Sequence, residues 1–129
     1  MERWLGRYSD YFYALMRFIF GALFACHGAQ KLFSVLGAEM PKPLPRMLMA
    51  AGAVEFFCGV LIAVGLVGGT AAFIAAGEMA CAYFIAHAPN GFWPVENKGE
   101  LAVLYCFAFL YIASRGSGRF SIDGLIKRR

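Results

Sequence analysis

Charged side chains are scarce in this sequence. Lysine, arginine, aspartate and glutamate make up 16% of the 129 residues, and hydrophobic residues make up 60%. Soluble proteins usually carry about 25% charged residues. A soluble helical bundle also needs a polar stripe on every helix, and the long apolar stretches of this chain have none. The scarcity of charge argues against a soluble domain and predicts an integral membrane protein whose main partner is a lipid bilayer.

Motifs of independent catalytic centres are also missing. The four cysteines form neither a C-x-x-C pair nor a metal-ligand spacing, so no disulfide framework and no metal site are predicted. There is no glycine-rich phosphate loop, Ser-His-Asp arrangement or flavin fingerprint. The net charge of +4 is modest and does not indicate a nucleic-acid partner. Whether the protein is an enzyme therefore stays open, and no catalytic residue is assigned.

Proline and glycine divide the apolar sequence into four stretches. The interruptions are Pro41 to Pro45, the Gly68-Gly69 pair, and Pro89 to Gly91. The predicted membrane spans are residues 11–33, 47–67, 70–88 and 99–115, and the fourth is the shortest against the ~20 residues that a bilayer needs. We predict a single domain over residues 1–129 with an all-α fold, an integral membrane antiparallel four-helix bundle.

Basic residues gather at both ends of the chain. Arg3 and Arg7 precede the first stretch, and Arg115, Arg119 and residues 127–129 follow the last. The positive-inside bias therefore predicts that both termini are cytoplasmic, which requires an even number of spans. The first stretch lacks a small-residue cleavage site, so it is predicted to be a retained span and not a signal peptide.

One face of the first predicted helix carries two cations and two glycines. Arg17, Gly21, Phe24, Gly28 and Lys31 follow one another at helical spacing and share this face. Because glycine has no side chain, Gly21 and Gly28 predict a close approach of a neighbouring helix backbone.

Five charged residues lie in or at the edge of the apolar stretches, and each would be costly to leave unpaired in lipid. They are Arg17, Lys31, Glu55, Glu78 and Glu100. Counting the helical rise from the cytoplasmic ends predicts an inner cluster of Arg17, Glu78 and Glu55 and an outer pair of Lys31 with Glu100. Two cations then face three acids, so either one carboxyl is protonated or His27 carries a proton. The charges indicate proton-coupled chemistry or, alternatively, a network that only fixes the order of the helices.

These residues resemble the DoxX family of small four-helix bacterial membrane proteins, over nearly the full length of the chain. The matching pieces are Arg17-x-x-x-Gly21, Phe24-x-x-His27-Gly28-x-x-Lys31, Glu55-x-x-x-Gly59 with Gly65-Leu66, Glu78, Asn97-x-Gly99-Glu100, and Gly116-x-Gly118-x-x-Ser121-x-Asp123. Two positions depart from the pattern. Ser117 stands where the family often has proline, and Lys98 stands where glycine is common.

The resemblance implies a multi-pass protein of the bacterial inner membrane with a link to redox work. Members are similar to the small subunit of a thiosulfate:quinone oxidoreductase, and others accompany thiol or oxidative-stress enzymes. On this basis Arg17, His27, Lys31, Glu55, Glu78 and Glu100 are candidate substrate-binding residues. The cations would hold an anion or a quinone oxygen, and the acids would exchange protons.

Three functions remain open at this point. The first is a redox-linked membrane subunit that binds a quinone or a small sulfur compound in a polar intramembrane core, with electrons supplied by a redox-protein partner. The second is a non-catalytic assembly or anchoring subunit of a larger membrane complex. The third is a small-solute or proton transporter, which is disfavoured because the four stretches offer no broken helix.

Overall fold

The computed structural model describes residues 1–128, and every regular element within them is helical. A short helix at Glu2–Leu5 and a 3₁₀ turn at Gly6–Tyr8 lead into the first long helix. The helices are α1 (Ser9–Phe33), α2 (Arg46–Val64), α3 (Gly68–Ala82), α4 (Glu100–Arg115) and the short α5 (Ile122–Ile126). Helix α3 continues into a π-helical turn at Tyr83–His87 and a 3₁₀ turn at Ala88–Asn90. The four apolar stretches of the sequence thus form the four long helices.

Within residues 1–128, three helical segments are long and apolar enough to cross a membrane. They are Glu2–Phe33, Arg46–Val64 and Gly68–Asn90. Helix α4 has 16 residues, which gives a length of about 24 Å against a hydrocarbon thickness of about 30 Å. Large apolar side chains such as Phe57 and Phe73 are exposed on the outer faces of the helices. These features indicate a membrane protein that associates with a lipid bilayer.

Helices α1 and α2 run antiparallel and touch through their glycines, as the sequence predicts. A Cβ atom added to Gly21 would lie 2.5 Å from the backbone nitrogen of Ala63. A Cβ atom on Gly28 would overlap the backbone nitrogen of Phe56. The backbones are therefore in direct contact at two levels, and these contacts fix the register between the two helices.

Aromatic side chains join α1 to α4 in the interior. Phe24 and Phe109 are almost completely buried, with ring centroids 4.7 Å apart. Tyr105 packs against both rings, at 5.3 Å from Phe24 and 5.4 Å from Phe109. Such edge and tilted contacts between rings add to the stabilisation from burial.

The start of α1 and the end of α4 lie at the same end of the molecule. Asp10, near the start of α1, forms a 2.7 Å ion pair with Arg115 at the end of α4. The Tyr13 hydroxyl donates a hydrogen bond to the Gly116 carbonyl oxygen. We call this the terminal end, defined by Asp10, Arg115 and α5. The loop end is opposite and consists of residues 34–45 and 91–99.

Arg17 holds the terminal end together through main-chain contacts. Its side chain is only 3% exposed. Nη1 donates to the carbonyl oxygens of Ile62 and Ala63 in the last turn of α2, and Nη2 donates to the Phe120 carbonyl oxygen at 2.7 Å. A helix C-terminus carries unpaired carbonyls and a partial negative charge, so it is a suitable partner for a buried guanidinium.

Asp123 caps the start of α3 from the far end of the chain. Its carboxylate accepts hydrogen bonds from the Val67 amide at 3.0 Å and from the Ser117 hydroxyl at 2.5 Å. Ser117 also accepts from the Gly68 amide at 3.0 Å. The Ser117 side chain thus contributes two hydrogen bonds to this cap. Ser121 caps α5 through the Gly124 amide.

The Asp123 cap should make stability depend on pH in the acidic range. The hydrogen bond from Ser117, followed by that from the Val67 amide, holds the pKa of Asp123 below its ordinary value of 3.8. A lowered pKa in the folded state contributes stability above the unfolded pKa, and this stability is lost as pH falls through the folded pKa. Asp123→Ala should cost about 1 kcal/mol at neutral pH, as for other lost helix caps.

Thermal unfolding of the wild type and of Asp123→Ala between pH 7 and pH 3 tests this cap. Acids elsewhere in the chain titrate in both proteins and cancel in the difference. The gap between the two melting temperatures should narrow below pH 4 or so. A gap that stays constant over the whole range would show that the Asp123 carboxylate does not carry the cap.

Candidate functional site

A cavity of about 560 Å³ lies between the four long helices, in the half of the molecule nearer the loop end. This volume is within the roughly 300–1,000 Å³ typical of small-molecule sites. Its wall is mostly apolar and includes Phe24, Val54 and Met79. The polar groups are few, which is also typical of sites that bind an amphipathic ligand in a fixed orientation.

The cavity reaches the outer apolar surface of the molecule. Met47, Ile85 and Leu101 line it, and they are 65%, 58% and 51% exposed. In a bilayer, the outer surfaces of these side chains face lipid. A lipid-soluble molecule therefore has an apolar path into the cavity.

Lys31 and Glu55 form an ion pair in the wall of the cavity. The Lys31 ammonium donates to Oε1 of Glu55. The Glu55 side chain is 3% exposed and that of Lys31 is 24% exposed. A Cβ atom on Gly52 would lie 2.9 Å from the Lys31 Cβ, so the close approach of α1 to α2 brings the two charges together. The glycine contacts and the ion pair are one structural unit.

Two carboxyl oxygens at the cavity have no partner within the described chain. They are Oε2 of Glu55 and Oε2 of Glu78, and both atoms are buried. Glu55 and Glu78 both line the cavity with Lys31, and the ammonium group of Lys31 pairs with Glu55. An unpaired buried carboxylate is costly, so this arrangement favours the uptake of a proton or of a ligand that can hydrogen-bond to it.

Two histidines complete the polar lining. Nδ1 of His87 lies 3.2 Å from the Asn97 carbonyl oxygen and donates to it, because a carbonyl oxygen can only accept. In a neutral ring this leaves Nε2 of His87 as an acceptor. His87 is the last residue of the π-helical turn, a feature that occurs often at functional sites. The His27 ring meets Tyr105 edge to face at 6.1 Å.

The charge pairing predicted from the sequence is wrong in two respects. Arg17 contacts main-chain carbonyls at the terminal end and does not join Glu55 and Glu78. Lys31 pairs with Glu55, and Glu100 is exposed beside a separate shallow pocket that Lys98 also lines. The structure does bring Glu55 and Glu78 to the same cavity.

Of the six candidate residues, four lie in the cavity wall: His27, Lys31, Glu55 and Glu78. Sequence reasoning gave little weight to His87 and Tyr105, which also line it. Their only signal in the sequence was their position in the third and fourth apolar stretches. Among residues 1–128, no group of three histidine, cysteine, aspartate or glutamate side chains is arranged to hold a metal ion.

Comparison with known proteins identifies the family. The model of the DoxX family matches residues 12–88. The chain belongs to the DoxX family. A relative from Haemophilus influenzae, described as an uncharacterized protein, is 38% identical over 126 residues. That alignment covers 92% of this DoxX chain and 93% of the relative. No solved structure matches the chain.

The segment matched by the DoxX model contains α1 from residue 12 onward, α2 and α3. It therefore includes Lys31, Glu55 and Glu78 of the cavity wall. Helix α4, which contributes Tyr105, and the Asp123 cap lie outside the matched segment.

Proposed function

We propose that this DoxX protein is a membrane subunit linked to redox chemistry, and that its cavity binds the headgroup of a quinone. The observation that carries the proposal is a pair of buried carboxyl groups and one lysine inside an apolar cavity that reaches the lipid-facing surface. A quinone has an apolar ring and tail with two polar oxygens. It enters from lipid and needs only a few polar contacts.

The cavity residues fit this ligand. The Lys31 ammonium has three N–H donors and uses one for Glu55, so it retains donors for a ligand oxygen. Glu78 and Glu55 provide carboxyl groups that take up or release protons next to the ring. A bound quinone would supply two-electron redox chemistry, and a redox-protein partner would exchange the electrons. In this proposal His27 and His87 orient the headgroup from the two sides of the wall.

A lipid-soluble quinone fits the cavity better than a small sulfur compound does, because most of the lining is apolar. Met47, Ile85 and Leu101 offer nothing to attract a hydrated anion. A subunit that only anchors or assembles a complex would not require buried carboxyl oxygens without partners. The proposed quinone site therefore accounts for features that the anchoring function leaves unexplained.

Purification from the native membrane in mild detergent tests the proposal. Quinone should be found when the lipid-soluble molecules are extracted from the purified protein. Added decylubiquinone should raise the melting temperature. The double variant Lys31→Met with Glu55→Gln keeps the side-chain lengths and removes both charges. It should bind decylubiquinone about tenfold or more weakly, since a hydrogen bond to a charged group contributes about 1.5–3 kcal/mol.

The matched control for this experiment is Gly77→Ala in α3. A Cβ atom at Gly77 meets nothing within 4 Å, so this variant should bind like the wild type. A purified protein without quinone, and with no thermal shift on addition, would contradict the proposal. Stable co-purification with another membrane protein would then favour the anchoring function.

The proposed setting is the bacterial inner membrane, with the four long helices forming an antiparallel bundle and both termini in the cytoplasm. Supporting this, the terminal end carries Arg3, Arg7, Arg115 and Arg119, as the positive-inside bias requires. Reporter fusions after Lys42 and after Asn97 should both report an external location. An internal signal at either site would overturn this orientation.

A further inference from the structure

We infer that the cavity prefers a neutral, lipid-soluble molecule that donates a hydroxyl hydrogen bond, so that it binds a quinol or phenol more tightly than the oxidised quinone. This inference rests on the proposed quinone site and names the form of ligand that the site selects. It follows from counting the hydrogen-bonding atoms that the cavity leaves open.

The open polar atoms of the cavity are mainly acceptors. Oε2 of Glu55 and Oε2 of Glu78 are buried and have no partner among residues 1–128. Nε2 of His87 is a further acceptor when the ring is neutral, because Nδ1 faces the Asn97 carbonyl oxygen. A ligand hydroxyl donates the hydrogen bond that these acceptor atoms lack.

An oxidised quinone satisfies these atoms less well. Its two carbonyl oxygens only accept hydrogen bonds, and beside a carboxylate oxygen they would leave both groups unpaired. Leaving a buried acceptor unpaired costs about 1–3 kcal/mol. Lys31 is the main donor, and one of its three N–H groups is already engaged by Glu55. Even when one carboxyl takes up a proton, the other still presents an acceptor.

The charges of the cavity also disfavour an anionic ligand. Glu55 and Glu78 carry two negative charges when ionised, and Lys31 carries one positive charge, so this set has a net charge of −1. Lys98 also lines the cavity, but it is exposed and hydrated. A neutral hydroxyl donor adds hydrogen bonds without adding charge. Sulfur oxyanions would meet two carboxylates.

Glu78 is the residue that we assign as the acceptor for the ligand hydroxyl. The Lys31 ammonium holds Glu55 through Oε1, whereas no partner holds Oε2 of Glu78. Glu78 is also partly exposed, whereas Glu55 is buried. Replacement of Glu78 by glutamine breaks no hydrogen bond at Oε2. That variant is therefore a clean probe of the assignment.

Two ligand pairs test the preference by thermal shift and by equilibrium binding to the purified full-length protein. The first pair is 4-octylphenol and its methyl ether, which differ only in the hydroxyl donor and undergo no redox change. The second pair is decylubiquinol and decylubiquinone, compared without oxygen. In each pair the hydroxyl form should bind about tenfold or more tightly, since one buried hydrogen bond to a charged group contributes that much.

Glu78→Gln should reduce this preference several-fold in both pairs, and the control Gly77→Ala should keep it. Equal binding of the two members of each pair, or tighter binding of the ether and the quinone, would overturn the inference and leave the quinone site standing. An undiminished preference in Glu78→Gln would overturn the assignment of Glu78. Binding of none of the four ligands would overturn the inference together with the proposed function.

Discussion

Lys31→Met should lower the free energy of unfolding by about 3–5 kcal/mol, because it leaves Glu55 buried without its cation. The Glu55 side chain is 3% exposed, so solvent does not replace the lost partner. Adding Glu55→Gln to Lys31→Met removes the unpaired charge. The double variant should therefore recover most of the lost stability, a strongly non-additive result in a double-mutant cycle.

Equilibrium unfolding in a single detergent measures the free energy of unfolding of the wild type, the two single variants and the double variant. Lys98→Met is the matched control, because Lys98 lines the same cavity but is exposed. Its effect should stay within about 0.5 kcal/mol, as for most surface substitutions. Additive effects of the two changes at Lys31 and Glu55 would show that their ion pair does not contribute to the folded state.

Gly28→Leu should destabilise the protein by about 1–3 kcal/mol or more, since overpacking a tight contact commonly costs this much. The atom in the way is the backbone nitrogen of Phe56, which cannot rotate aside as a side chain does. Helix α1 must then move away from α2. Because the same contact positions Lys31 beside Glu55, Gly28→Leu should also weaken quinone binding.

Gly77→Leu is the matched control for Gly28→Leu. Both glycines lie within helices, but a Cβ atom at Gly77 meets nothing within 4 Å. Leucine is also the better helix former, so Gly77→Leu should leave the melting temperature unchanged or raise it. Unchanged melting of Gly28→Leu would mean that this face of α1 does not contact α2.

The positions of the long helices could be predicted from the sequence because proline and glycine mark their ends. A close contact of α1 with a neighbouring helix could be predicted as well, from Gly21 and Gly28, and the structure shows that this helix is α2. The partner of Lys31 could not be predicted. The helical rise gives the depth of a residue within its own span, but it does not give the register between two spans. The register between α1 and α2 places Lys31 beside Gly52, one helical turn from Glu55. The lysine side chain then reaches inward to the acid.

Arg17 shows that a buried cation does not always form an ion pair with an acidic side chain. The sequence offered three glutamates as partners in the apolar stretches. The fold instead gives Arg17 the carbonyl oxygens of Ile62, Ala63 and Phe120. A helix C-terminus offers main-chain acceptors to a guanidinium, which the residue types do not reveal. Arg17 therefore belongs to the terminal end and not to the cavity.

Lys98 shows how the backbone explains a family preference. The sequence has lysine where DoxX proteins commonly have glycine, and the residue adopts a φ of 61°. Glycine reaches this left-handed region without steric cost, whereas other residues rarely do so. The preference for glycine thus follows from the turn before α4.

The cavity itself was beyond sequence reasoning. Its shape depends on how far α2 and α3 separate near the loop end and on the π-helical turn at Tyr83–His87. Hydrophobic periodicity in the sequence indicates neither the separation of α2 and α3 nor the position of the π-helical turn. For this reason the sequence identified the charged residues of the site and His27, but not His87 and Tyr105.

The central claim is that the cavity holds a quinone headgroup between Lys31 and Glu78. The most direct measurement is an experimental structure of the protein purified from its native membrane without removal of bound lipids. We predict density for a ring whose oxygen lies about 2.7–3.2 Å from Lys31 Nζ or from the Glu78 carboxyl group. Its tail should leave past Met47 and Ile85. A cavity closed by its own side chains, or one that holds only a lipid acyl chain, would contradict the claim.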